Sequence, residues 1–252
     1  MDFTIIYGKN SVIEALEKGS REFNKILIAN NAAPDSKIKL IKELAQKNNV
    51  VYSFVAKEKL NALVPEGKHQ GVIAQLAPVK YTDLEDFIQN HKGKNSFVIV
   101  LDGVEDAHNV GAIVRSAVCA GADGIILPSR RGALINSTVE KTSAGAINHI
   151  DIIKSNSLVN AIQKLKENDY WVIASDHHAE HHYYDIDYTD MNFVLIMGAE
   201  HSGISKSLMK LSDYRVKIPM LTDFNSLNVS NAAAVILFEA VKQKLCKDKK
   251  NT

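Results

Sequence analysis

The chain has 252 residues, 46% of them hydrophobic and 23% charged, ordinary globular values that exclude disorder and predict one large domain or two small ones. No apolar run approaches the ~20 residues a membrane-crossing helix needs. The start MDFTIIYGKN has no basic-then-apolar leader, and the lone cysteines Cys119 and Cys246 exclude a disulfide framework or a cysteine-built zinc site, as expected of a cytoplasmic protein. The net charge of +1 is uneven: +3 over residues 1–75, 0 over 76–95, −6 over 96–241 and +4 over 242–252. No global field attracts phosphate, so any nucleic-acid contact must come from local patches.

In chain order, Asn10–Lys18 reads as a capped helix ended by Gly19, and Lys25–Ala29 as a short strand. Asp35–Lys47 has helical apolar spacing at Ile38, Ile41, Leu44 and Ala45. Val50–Tyr52 and Gly71–Ala74 read as further strands, making residues 1–75 a small α/β domain. Residues 76–95, polar around Pro78 with a short helix in Thr82–Gly93, read as a linker. Beyond it, strands at Phe97–Leu101, Gly124–Leu127, Ile150–Ile153, Trp171–Ala174, Phe193–Met197 and Arg215–Ile218 alternate with helices at Val110–Ala120, Thr138–Ala146, Leu158–Glu167, Ser205–Leu211 and Ser230–Leu245. Continuous apolar strands alternating with helices predict a mainly parallel sheet covered on both faces over residues 96–246, followed by a basic tail, 247–252. Such sheets bind ligands beyond the carboxyl ends of their strands, which directs attention to the loops after Leu101, Met197 and Ile218.

The first loop leads into a helix with Asn109 near its start and Arg115 as the one cation in Val110–Ala122. Asn109 suits a helix cap; Arg115 suits either an exposed helix face or a guanidinium aimed at phosphate. The second loop, Gly198-Ala199-Glu200-His201-Ser202-Gly203, brackets a carboxylate with glycines that permit close approach to a ligand. It is neither a Walker loop nor a dinucleotide fingerprint. The third begins Ile218-Pro219-Met220 and continues Ser226-Leu227-Asn228-Val229-Ser230-Asn231, richer in Ser and Asn than capping requires.

Together, N-x-G-A-I-x-R at 109–115, G-A-E-x-x-G at 198–203 and I-P-M with S-L-N-V-S-N-A-A-A at 218–234 resemble the three signature motifs of the SpoU (TrmH-type) branch of the SPOUT RNA 2′-O-ribose methyltransferases. In front, Tyr7-Gly8-Lys9-Asn10 and His69-Gln70-Gly71 resemble the L30e-like RNA-binding domain of bacterial 23S rRNA guanosine 2′-O-methyltransferases. The resemblance implies an α/β catalytic domain with a trefoil knot, S-adenosyl-L-methionine as cofactor, no metal, a homodimer, and RNA rather than DNA or membrane as partner. It implies catalytic roles for Arg115, Asn109, Glu200 and Asn228, and cofactor contacts from Met197, Gly198, Ile218, Met220, Ser226 and Leu227. RNA contacts would come from Lys9, Asn10, His69, Gln70, Arg130 and Arg131. A tRNA ribose methyltransferase, a non-catalytic RNA-binding protein and an ordinary α/β nucleotide enzyme remain alternatives. His177-His178-Ala179-Glu180-His181-His182 has zinc-like i,i+4 spacing only if helical; it is expected to be an exposed loop.

Overall fold

The computed structural model describes residues 4–18, 22–30, 35–64, 68–77, 79–130, 132, 135–222 and 226–249. The chain forms two compact units that part between Val79 and Lys80.

The first unit orders strands β1 (Thr4–Tyr7), β2 (Phe23–Ala29), β3 (Tyr52–Val55) and β4 (Val72–Leu76) as β1-β4-β2-β3, with only β2 and β3 parallel. Helices α1 (Lys9–Lys18) and α2 (Ser36–Lys47) cover one face, where Val12, Leu16, Ile38 and Ile41 meet Ile26, Ile28 and Val72. Helix α3 (Lys57–Leu63) covers the other through Leu60, packed with Leu27 and Ile73. The sequence reading misses β1, and it misses α3, which buries Leu60 alone. It also sets β3 two residues early. Asn49 turns with φ +54° and Val50 N–H donates to Ala45 O, so the first residues after α2 close the helix and pairing with Ile26 begins at Tyr52.

The second unit holds α4 (Leu84–His91), β5 (Phe97–Asp102), α5 (Ala107–Cys119), β6 (Gly124–Pro128), α6 (Ser137–Ser143), β7 (Asp151–Ser155), α7 (Leu158–Lys166), β8 (Tyr170–Ser175), β9 (His181–His182), β10 (Asn192–Gly198), α8 (Lys206–Leu211), β11 (Tyr214–Lys217) and α9 (Val229–Asp248). Its sheet runs β7-β6-β5-β10-β8-β11-β9, every neighbouring pair parallel. The central strands read FVIVLD and NFVLIMG because both faces are covered. Val98, Val100, Val194 and Ile196 pack toward α4, α7 and α8. Helices α5 and α9 pack against each other, and Lys244 of α9 lies over the Phe97 ring of β5.

Residues 76–95, expected as a linker, are divided between the units. Leu76 closes β4, whereas α4 buries Phe87 and Ile88 in the second core and Thr82 N–H donates to Ile152 O at 2.9 Å. The expected tail also begins inside secondary structure, since α9 reaches Asp248 and Lys247 pairs with Asp190. No helix among the described residues is long and apolar enough to cross a membrane.

Candidate active site

The chain runs outward from β5 through β6 to β7, then returns so that β10 lies against β5 with Gly198 opposite Asp102. Open parallel sheets leave their crevice at such a reversal, beyond the carboxyl ends of the strands. The loop leaving β10 folds back on itself there: Gly203 N–H donates to Ala199 O at 2.9 Å and Ala199 N–H to Gly203 O at 3.2 Å. Gly203 makes the turn at φ +62°. A Cβ on Gly198 would stand 2.3 Å from the Gly203 carbonyl carbon and 2.5 Å from Ile204 N. The smallness of Gly198 therefore serves the chain's own fold-back, and a valine there would break the loop before it could block a ligand.

Three polar side chains, from the first turn of α5, the loop after β10 and the cap of α9, meet at this point. Asn109 Nδ2 donates to Glu200 Oε1 at 2.8 Å, and Asn228 Nδ2 donates to Asn109 Oδ1 at 2.9 Å and to Glu200 Oε1 at 3.0 Å. The amide orientations follow from chemistry. Ser230 N–H can only donate, and it meets Asn228 Oδ1 at 2.9 Å, so Nδ2 of Asn228 must face the other two residues. Glu200 only accepts when ionised, which makes Asn109 Nδ2 its donor. Glu200 Oε2 has no partner among the described residues. Asn109 is not the cap of α5: Asp106 caps it, accepting from His108 N–H, and starts the helix at Ala107, three residues earlier than the apolar pattern suggests. Asn228 caps α9, accepting from Ser230 N–H.

A cavity of about 740 Å³ opens beside this trio, and all six residues expected to contact a cofactor line it: Met197, Gly198, Ile218, Met220, Ser226 and Leu227. Asp176, His177, His178 and Lys217 line it too, which the sequence reading missed. The available signal was position, since the first three follow β8, whose carboxyl end neighbours that of β10. A second cavity of about 740 Å³ lies across the 199–203 loop and includes Asp102, Asp106, Asn109, Glu200 and Arg130 in its wall. Glu200 thus faces both.

Arg115 is not brought to the trio. It is exposed, lines neither cavity and has no hydrogen bond or ion pair among the described residues. Six residues after Asn109, it sits ~9 Å along the helix axis and about 120° around it. Arg130 is exposed on the second cavity, and Arg131 lies outside the described residues.

In the first unit the two turns expected to touch RNA meet each other. Lys9 N–H donates to Gln70 Oε1 at 3.3 Å, and Lys37 Nζ donates to the exposed Asn10 at 2.9 Å. Lys9 Nζ is held by Asp35 at 2.6 Å; that hydrogen bond, with Lys37 N–H as a second donor, keeps the Asp35 carboxyl below its usual range. His69 is buried, contrary to a role at RNA. Its Nδ1 accepts from Gly71 N–H at 2.9 Å, which leaves Nε2 as the protonated nitrogen facing Asn61 Oδ1 at 2.9 Å. Burial, and secondarily Lys57, lowers its pKa, in keeping with this neutral tautomer.

The histidine cluster forms no helix. Residues 177–178 make a turn, with Asp176 accepting from His178 N–H at 3.0 Å, and His181–His182 form β9 against β11. The i,i+4 pairs therefore share no helical face, and no three His, Cys, Asp or Glu among the described residues could hold a metal.

The family model for the SpoU rRNA methylase family matches residues 96–238, and that for RNA 2′-O ribose methyltransferase substrate binding matches 5–82. Proteins of Staphylococcus saprophyticus and Staphylococcus aureus assigned to the TrmH family of tRNA/rRNA methyltransferases are 36% identical, with alignments covering 97% of this chain and 97% or 98% of theirs. Among solved structures, the SpoU methyltransferase AviRb from Streptomyces viridochromogenes is similar with a TM-score of 0.77 at 23% identity, over 97% of this chain and 91% of that one. An AdoMet-bound rRNA methyltransferase from Sinorhizobium meliloti gives 0.75 at 23% identity, over 95% and 87%. The catalytic match covers the three loops whose side chains meet at Glu200, and on that match and the full-length relatives the chain belongs to the SpoU rRNA methylase family.

Proposed function

We propose that the protein transfers a methyl group from S-adenosyl-L-methionine to a ribose 2′-hydroxyl of RNA, most specifically a guanosine of 23S rRNA, in the cytoplasm. The observation that carries this reading is the Asn109–Glu200–Asn228 network beside the cavity lined by Met197, Gly198, Ile218, Met220, Ser226 and Leu227. The cavity fits the cofactor in size and chemistry. Its volume lies within the range of small-ligand pockets, Met197, Ile218 and Leu227 offer apolar surface, and Glu200 and Asp176 offer carboxylates to a cationic ligand. When bound, the cofactor supplies a methyl group made electrophilic by sulfonium.

The chain's own residues do the rest. Asn109 and Asn228 fix Oε1 of Glu200, leaving Oε2 to orient an incoming hydroxyl or cation. The second cavity shares Glu200 with the first, which suits two reactants meeting across one side chain; Arg130 on its wall suits a phosphate. The trefoil reading rests on chain path. β11 lies beyond β8 in the sheet, yet Asn228 at the start of α9 meets Glu200 of the closed 199–203 loop, and α9 packs against α5 and Phe97 of β5.

A homodimer accounts for two surface features. α9 exposes Phe238 at 48% and Leu245 at 58%, and its packing neighbour α5 exposes Arg115, unpartnered among the described residues. A second copy covering α9 would bring a guanidinium to the site region that its own chain does not reach.

The test is tritiated-methyl transfer to rRNA and tRNA from cells lacking the gene, followed by mapping of the 2′-O-methyl position. Incorporation at a 23S rRNA guanosine is the expected result. A tRNA position would keep the reaction and change the substrate; no incorporation into either RNA, despite cofactor binding in calorimetry, would remove the activity.

A further inference from the structure

The first unit carries an exposed aromatic that its fold does not use. Phe54, on the edge strand β3, is 50% exposed, while its neighbour on the same face, Tyr52, packs against the α1–α2 core. The two rings meet edge to face, with centroids 6.2 Å apart. Lys42 of α2 holds its ammonium 4.7 Å from the centre of the Phe54 ring and has no carboxylate partner among the described residues. Helix α2 carries Lys37, Lys39, Lys42 and Lys47 against Glu43 alone. A solitary exposed Phe is unremarkable. A Phe under an unpaired ammonium, beside a lysine-rich helix, has the two parts of a single-strand binding surface: a stacking platform and cations that follow the phosphates. The turns expected to touch RNA are less available, since Lys9 is held by Asp35 and His69 is buried.

We infer that Phe54 and Lys42 form a contact for single-stranded RNA, in which an unpaired base stacks on the Phe54 ring and its phosphate pairs with Lys42. This rests on the proposal that RNA is the substrate, and it adds a site outside the turns at residues 8–10 and 69–71. The open edge of β3 could instead accept an extended peptide. The charge of α2 favours the polyanion.

The experiment uses the full chain with a fluorescein-labelled single-stranded RNA oligonucleotide, read by anisotropy. Phe54→Ala should weaken binding about tenfold, from loss of one stacked base, and Phe54→Trp should restore it. Lys42→Ala should flatten the dependence of log affinity on log salt by about 0.7, the single-strand value for one phosphate. Unchanged affinity in Phe54→Ala, or failure of Phe54→Trp to rescue, would overturn the contact and leave peptide pairing as the use of this edge. Cofactor affinity and turnover at saturating RNA, measured on the same variants, should match the parent protein. Absence of both in the parent would remove the methyltransferase reading without touching the RNA contact.

Discussion

The Glu200 crevice and the Lys9–Gln70 corner look alike in sequence: each combines a glycine turn with residues suited to a ligand. In the folded chain they diverge. At the crevice, Met197, Ile218 and Ser226 line an open cavity and Glu200 keeps one oxygen unpartnered among the described residues. At the corner, Lys9 is held by Asp35, and both ring nitrogens of His69 are occupied beneath the surface. A motif shows which chemistry a residue carries. Whether that chemistry faces a ligand or the residue's own chain depends on burial and on which partners the fold supplies.

Arg115 gives the largest expected effect, because it belongs to the crevice by motif but not by position. Arg115→Ala should reduce methyl transfer about 10²–10³-fold, the usual range for removing a donor that stabilises developing charge. Cofactor affinity in calorimetry should stay at the parent level, since Arg115 lines neither cavity. If a second copy supplies the guanidinium, mixing Arg115→Ala with inactive Asn228→Ala protein should restore activity through dimers holding one intact site. Two inactive parents that stay inactive when mixed, although mass spectrometry shows heterodimers, would mean Arg115 works within its own chain.

Asn109→Asp probes the network itself. The substitution sets a second carboxylate where Nδ2 now lies 2.8 Å from Glu200 Oε1. Losing a hydrogen bond to a charged acceptor should slow transfer about 10–100-fold at neutral pH. The two carboxyls would then share a proton, and one pKa would rise. Below that pKa the protonated Asp can donate again, so activity relative to the parent should recover as pH falls. A variant-to-parent ratio that is flat with pH would mean the network does not set the rate.

The crevice was more legible than the corner for a physical reason. Parallel strands buried on both faces are continuous apolar runs, and the loops at their ends hold the polar residues together. Three loops far apart in sequence could therefore be expected at one place. Three things could not be read. Asn109 resembled a cap because Asp106, three residues earlier, does the capping. Helix α4 was expected within Thr82–Gly93 but as part of a linker, because its hold on the second core is Phe87 and Ile88 in an otherwise polar stretch. His69 looked available because a neutral histidine satisfied by one backbone N–H and one side-chain amide leaves no apolar pattern.

His69→Ala should cost the first unit about 1–3 kcal/mol, the range for leaving buried polar groups unpaired. The pH dependence has a definite sign. The folded pKa is lowered from the ordinary 6.5, so the stabilisation is complete above that value and is lost as pH falls through it. Chemical unfolding of the parent, followed on the first unit, should show stability declining below about pH 6.5, and His69→Ala should lose that slope. An equal slope in the variant would assign it to other groups.

The smallest effect is expected from Lys9, which separates the two readings of the corner most directly. If its ammonium belongs to Asp35, Lys9→Met keeps the aliphatic stem and removes only the ion pair. The Asp35 carboxyl, now held low chiefly by the Lys9 hydrogen bond, should then titrate at higher pH by NMR. Its remaining donors, Lys37 N–H at 3.0 Å and Ser36 Oγ at 3.4 Å, should keep the shift from vanishing, and the first preserves the cap on α2. Affinity for single-stranded RNA should change less than about twofold, with an unaltered salt slope, because no phosphate contact is removed. Lys42→Ala, measured beside it, should flatten that slope. If Lys9→Met flattens it and Lys42→Ala does not, the RNA path runs over the Gly8–Gln70 turns, and the Lys9–Asp35 pair opens when RNA binds.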